Sequence, residues 1–456
     1  MSANVSEERQ PLASARPIGH RDVVTIALPI MISNATVPLI GFVDTVVVGQ
    51  LGEAYLIGGV AVGATIFSYL YWVFGFLRMG TTGLTAQALG AQDGVEIAAN
   101  LHRALLIAGA AGLAMIAGQS LIALTAFYVM GASEAVEKAA YTYFSIRIWA
   151  APAGLINFAL LGWFIGMGRA GLAFVIQIFL NVLNMLLAVL FVVGLGLGVA
   201  GVGAAALIAE WAATFLGLYL TWAILARRGY RADLRQVLDL ARLRRTFQVN
   251  TDIMIRTALA LTVVVFFTAQ GARSGDVILA ANAVLNSITM VAIYLLDGFA
   301  FAAESLVGRS IGARAQQRFR EAVRLSTIWA AVTGALLSLV IWLAGPAIID
   351  FMTTSADVRV ASREYLVWAA LLPIVGVWCY QLDGIFIGAT RTADMRNMML
   401  LSVLIFFAVW AVLQPLYANH GLWVSMLIFN VVRAVSLMAR FSALERAAFH
   451  PLAQAH

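Results

Sequence analysis

The sequence predicts an all-α integral membrane protein: twelve transmembrane helices in two six-helix bundles related by a pseudo-two-fold axis along the membrane normal. Three observations predict it. Hydrophobic residues make up 62% of the 456 positions and charged residues only 11%, about half the charge fraction of an ordinary soluble domain. Twelve stretches are apolar over the roughly 20 residues that a helix needs to cross a bilayer. Finally, GWFIGMGR at Gly162–Arg169 returns as GIFIGATR at Gly384–Arg391, 222 residues later.

The twelve segments lie near 23–49, 54–77, 98–127, 139–168, 171–195, 199–226, 252–272, 277–308, 324–351, 361–389, 396–417 and 421–441. Most contain Gly and several contain Pro, as bilayer helices tolerate. The repeat reaches well beyond its best-matched octet. Pro152 and Pro373 precede the two copies, and Phe74-Gly75-Phe76 closing on Gly90-Ala91-Gln92 parallels Asp297-Gly298-Phe299 closing on Gly312-Ala313-Arg314. A doubled unit in so apolar a chain predicts two halves around a shared path through the bilayer. Six segments per half is an even number, so the halves share one orientation. The expected division is 1–226 for the first bundle, 227–250 for a basic linker and 251–456 for the second bundle.

Orientation follows from the arginines, because Lys138 is the only lysine. With the N-terminus inside, the inner side collects Arg9, Arg16, Arg21, Arg78, Arg103 and Arg169, then the arginine-rich linker, then Arg309 through Arg324, Arg391 and Arg396. The outer side keeps Lys138, Arg273, Arg359 and Arg363, and Arg147 and Arg256 read as lying near helix ends. That asymmetry predicts both termini in the cytoplasm. It also accounts for the net charge of +6 without a nucleic-acid partner. The polar first 22 residues lack the order of a cleaved signal and read as a short cytoplasmic tail. Cys379, the single cysteine, leaves no internal disulfide or cysteine metal cluster. In the linker, Leu234, Val237, Leu238 and Ala241 share one side of a helix. They suit either a basic interfacial helix on anionic lipid or an ordinary positive-inside connector.

Ionisable groups inside apolar segments cost about 2.5–3.5 kcal/mol each at mid-membrane, so they mark candidate sites. Asp44 lies deep in the first segment, six residues after Pro38. Glu210 lies midway along the sixth, and Asp383 in the tenth just before the repeated glycine. In the eighth, Asn282, Asn286, Met290, Ile293, Asp297, Phe301 and Glu304 form one helical stripe. Gln177, Asn181 and Asn184 share a face of the fifth, where they serve either a site or helix–helix adhesion. The expected second-half proton site is Asp297 with Asp383 and Glu304, the two aspartates close enough to share a proton. No group of nucleophile, acid–base or metal ligands sits at depth, since all five histidines fall in tails or near helix ends; catalysis is not expected.

These residues resemble the MATE (multidrug and toxic compound extrusion) family, in its DNA-damage-inducible F branch. The resemblance rests on PLIGFVDTVVVGQLG around Asp44, GTTGLTAQALGAQ closing on Gln92, and NVLNMLL around Asn184. It rests also on LLDGFAFAAESLVG around Asp297 and LPIVGVWCYQLDGIFIGATRTADMRN around Asp383. It spans the whole chain and implies export of lipophilic, often cationic compounds in exchange for H⁺ or Na⁺. It further implies no cofactor, a bacterial inner-membrane location and sufficiency as a monomer. By that resemblance Asp44 is the coupling aspartate and Asn184 its fifth-helix partner, with Asn181 beside it. Where the family commonly has an aspartate four residues after the asparagine, this chain has Ala188. Where it often has a threonine on the sixth helix, this chain has Ala206. Sodium needs several converging oxygens whereas a proton needs one carboxylate, so H⁺ is the expected coupling ion.

The substrate cavity is expected to be greasy and adaptable, given 25 Phe, 11 Trp and 15 Met. Asn157, Gln177, Met185 and Glu210 are its candidate wall residues. A lipid-linked precursor flippase of the same wider superfamily is the alternative; it should carry several arginines in its cavity for pyrophosphate.

Overall fold

The computed structural model describes residues 17–50 and 52–450. Most of the predicted N-terminal tail lies outside the described residues. Among those described, every regular element is helical, and eleven helices are long and apolar enough to cross a membrane.

Helix α1 (His20–Gly49) opens with Asp22 in its first turn, whose carboxylate accepts from the Gly19 amide at 2.8 Å. A carboxylate there satisfies an orphan amide and complements the helix dipole. Helices α2 (Ala54–Val73) and α3 (Phe76–Gly90) form one span broken only at Phe74–Gly75, so the second expected segment runs on to Gly90. Helices α4 (Gly94–Ala117) and α5 (Gln119–Met130) meet at Gly118. Helix α6 (Glu134–Arg147) passes through a 3₁₀ turn into α7 (Ala151–Gly166). The change falls just before Pro152, whose ring and missing N–H suit a first helical turn and not an interior.

Helix α8 (Ala170–Val189) ends in a π turn over Leu190–Gly194, and α9 (Gly198–Arg228) is stopped by Gly229 at φ +67°, where glycine carries no Cβ penalty. Then follow α10 (Leu234–Val237), α11 (Leu240–Arg273), α12 (Asp276–Gly312), α13 (Gln316–Met352), α14 (Ala356–Gly388) and α15 (Thr392–Phe449). A straight α15 of 58 residues would be about 87 Å long, roughly three times a hydrocarbon core. It is not straight. Ala418 holds φ 49° and ψ −128°, and the break separates the expected segments 396–417 and 421–441.

The linker differs from its expected form. Its apolar side does not run along one helix: α10 has only four residues, and Leu240 already begins α11. Arg103 of α4 holds this short helix from behind, donating to the carbonyls of Val237 (2.9 Å) and Gln236 (2.7 Å). Arg103 also pairs with Glu96 at 2.8 Å, and Glu96 pairs in turn with Arg242.

By internal contacts the chain forms two compact units. One is Ile32–Thr85 with Asp93–Phe247; the other is the chain up to Met31, Ala86–Gln92 and everything from Gln248. In the first, α4 packs on α7, α2 on α6, and α9 on α6, α7 and α8. In the second, α12 and α14 are paired, α13 lies against both, and α15 lies against α14.

The sequence repeat is also a packing repeat. A Cβ on Gly162 would fall inside 3.0 Å of the Arg78 carbonyl, and one on Gly384 inside 3.0 Å of the Ala300 carbonyl. Both members of the second pair lie 222 residues after those of the first. Glycine lets the two backbones touch where any side chain would hold them apart.

Candidate functional site

In the first unit a cluster of polar groups gathers around Arg147. Its guanidinium donates to the Tyr143 hydroxyl and lies 5.0 Å from the centre of the Phe67 ring. It is the positive charge felt by Asp44, Glu210, Tyr71 and Tyr143. Asn157 donates to both the carbonyl and Oε2 of Glu210, at 3.1 and 3.2 Å, and accepts from Thr214 at 3.1 Å. Gly154 makes room for this arrangement: a Cβ there would stand 2.9 Å from the Tyr71 hydroxyl and 3.2 Å from Glu210 Oε2. Of the expected wall residues, Asn157 and Glu210 are therefore in contact.

Asp44 is 7% exposed, and its Oδ1 is buried with no hydrogen-bond partner among the described residues. Asn184 is equally enclosed, and its Oδ1 also lacks a donor. A buried acceptor without a donor forfeits about 1–3 kcal/mol, more when charged, so the carboxylate oxygen favours an arriving proton or cation and the amide oxygen an arriving donor or cation. Asn181 belongs to a different chain of bonds. It accepts from Gln177 at 2.9 Å, and it donates to Thr36 of α1 at 2.6 Å. Met185 is partly buried on the same helix. Ala188 and Ala206 are both buried and offer methyl groups only.

In the second unit none of the seven eighth-segment stripe residues is exposed. Asn282 exchanges hydrogen bonds with Asn419 at 2.9 and 3.0 Å and accepts from Trp423 at 2.9 Å. Glu304 is buried at 1% exposure, and its main chain is where Gly388 makes close contact. Asp297 is partly buried and acts on Tyr380, as Asp383 does.

Asp383 takes different partners from the expected carboxylate. Its Oδ2 accepts from Arg433 at 2.7 Å and also from Arg256. The expected partner was Asp297; the partners seen are two guanidiniums. Arg433 was not anticipated, although an arginine midway along the segment 421–441 carries the same burial penalty that flags Asp44.

The expected positions of Arg147 and Arg256 are corrected as well. Arg147 closes α6, but the 3₁₀ turn carries the same span on to Gly166, and Arg256 lies inside α11. Helix α6 starts at Glu134 and α11 at Leu240, so the two arginines lie about 20 and 24 Å along their helices at 1.5 Å per residue. The polar opening turns of both helices precede their apolar stretches, which made those helices look shorter than they are. Among the described residues no three His, Cys, Asp or Glu side chains converge as metal ligands.

Comparison with known proteins bears on this geometry. The MatE family signature matches twice, over residues 29–190 and 253–413, once in each copy of the repeat. The chain is 40% identical to the DNA damage-inducible protein F of Escherichia coli K12, across 91% of this chain and 90% of that protein. It is 25% identical to a probable multidrug resistance protein NorM of Agrobacterium fabrum across 97% of each. Among solved structures it resembles a MOP-superfamily transporter from Pyrococcus furiosus, with TM-score 0.85 at 19% identity over 96% of this chain and 98% of that one. It also resembles a Vibrio cholerae MATE transporter in its bent form, with TM-score 0.84 at 17% identity over 94% and 97%. Signature, relatives and fold agree: the chain belongs to the MATE family of multi-pass membrane transporters, in its DNA-damage-inducible F branch.

Proposed function

We propose that the protein is a proton-coupled exporter of lipophilic compounds, cationic ones among them, with Asp44 as the group that carries the coupling proton. The observation behind this reading is the Asp44 carboxylate: buried, within the field of Arg147, and with one oxygen that has no donor among the described residues. Such an acid changes protonation when its surroundings change. Enclosure favours the neutral form, while opening to water or approach of a positive charge favours the ion. A cationic substrate and a proton are then alternative occupants of one electrostatic niche, which is the requirement for exchange. Each proton moving inward supplies about 2.3 kcal/mol per 100 mV of potential.

In this reading Asn184 and Asn181 orient the first-half site, and Asn157, Gln177, Met185 and Glu210 line the substrate path. The Ala188 and Ala206 methyls leave too few oxygens for dehydrated Na⁺. Asp297 and Glu304 remain candidates for a second proton-binding position, with Asp383 bound by Arg256 and Arg433. Twelve spans in two six-helix halves, the break at Ala418 dividing the last two, sit in a bacterial inner membrane with both termini cytoplasmic and a single chain as the working unit. The multidrug-resistance names of the relatives support export over the flippase alternative.

The test uses proteoliposomes containing a trapped pH indicator. Addition of a lipophilic cation such as ethidium outside should move protons outward as the cation enters. Ethidium uptake with no proton movement would refute coupling.

A further inference from the structure

The second unit buries two arginines on one carboxylate. The Arg433 side chain is only 7% exposed and that of Arg256 13%, while Asp383 between them is 9% exposed. Both guanidiniums converge on the same oxygen, Oδ2. Arg433 spends its other terminal nitrogen on Asn430 at 3.2 Å. The Nε of each arginine is buried without a hydrogen-bond partner among the described residues.

One carboxylate neutralises one guanidinium, so these three residues hold one positive charge in excess in a region of low dielectric. Leaving a charge there uncompensated costs several kcal/mol. Asp297, which acts on the neighbouring Tyr380, balances the sum when ionised and leaves it positive when protonated. The surroundings are aromatic: the Arg433 guanidinium lies 5.7 Å from the Tyr380 ring centre and 5.3 Å from that of Phe429. A planar cation with a free Nε–H edge, flanked by rings, suits a carboxylate or sulfonate attached to a flat apolar body.

We propose that Arg256 and Arg433 form a binding site for the anionic group of an aromatic carboxylate or sulfonate, with ionised Asp297 as the competing counter-ion. The protein's substrates would then include organic anions as well as cations. The physiological meaning of the site rests on the export reading above, but its test is equilibrium binding to unenergised protein and involves no transport.

Purified full-length protein in detergent is titrated calorimetrically with 2-naphthalenesulfonate and, separately, with 2-naphthylmethylammonium, which carries the opposite charge on the same rings. Arg256→Gln leaves Asp383 paired with Arg433, and Asp297→Asn removes the competing charge without touching either arginine. The expected result is saturable sulfonate binding, weakened at least about tenfold by Arg256→Gln and tightened by Asp297→Asn, with ammonium binding unchanged by Arg256→Gln. The Asp297→Asn arm keeps the test decisive if Arg256→Gln folds poorly, because a purely structural arginine pair gives no tightening. Absence of saturable sulfonate binding to the wild type, or equal sulfonate affinity in wild type and Asp297→Asn, would overturn the proposal.

Discussion

Arg433 donates to Asp383 across 2.7 Å, joining the last span to the tenth at a point where Arg256 also arrives from α11. Three helices are thus held by one carboxylate. Asp383→Asn should take from two buried guanidiniums the carboxylate that both bind and destabilise the protein by about 3–5 kcal/mol. Loss of monodisperse elution after mild heating in detergent reads this out. An Asp383→Asn protein as heat-resistant as wild type would mean that the arginines find compensation elsewhere.

The paired glycines give a second prediction. Gly162→Ala and Gly384→Ala each place a Cβ against a backbone carbonyl, so a helix must shift, at a cost of about 1–3 kcal/mol. Gly109 has nothing within 4 Å of its virtual Cβ, and Gly109→Ala should be neutral or slightly stabilising. Thermal midpoints of the three variants, measured in one detergent, check the contrast. Equal midpoints would argue that the close approaches relax freely.

The doubling of the chain was legible because glycine contacts leave a sequence trace: nothing larger fits at Gly162 or Gly384, so the octets stay alike. Asp44 was legible because a charge in an apolar run is costly wherever it points. Partnerships were not. Asp383 and Arg433 are fifty residues apart in sequence, and hydropathy says nothing about which helices touch. Arg147 and Arg256 were misplaced for another reason, since the polar opening turns of α6 and α11 fall outside the apolar windows that define a span. Arg103 looked like one more inner-side charge, and only the fold reveals that it holds the linker.

That linker supplies a third prediction. Arg103→Ala removes the donors to Gln236 and Val237 and leaves Glu96 with Arg242 alone. Residues 227–242 should then open more often, and trypsin should cut at Arg227, Arg228, Arg231 or Arg235 several-fold faster than in wild type. Unchanged cleavage kinetics would show that Arg103 does not secure the segment.

Ala188 and Ala206 bear on the choice of ion. Efflux driven by a fixed pH gradient should not change when external Na⁺ is replaced by choline. Collapse of efflux under choline would point to a sodium site built from main-chain oxygens and Asn184.

The most direct measurement concerns Asp44. Asparagine keeps the shape of the side chain but cannot exchange a proton, so Asp44→Asn should insert and elute like wild type. In proteoliposomes under an imposed pH gradient it should drive ethidium movement at the rate of protein-free vesicles, while the wild type accumulates ethidium against its concentration gradient. Gradient-driven accumulation by Asp44→Asn at a near-wild-type rate would contradict the assignment of the coupling proton to Asp44.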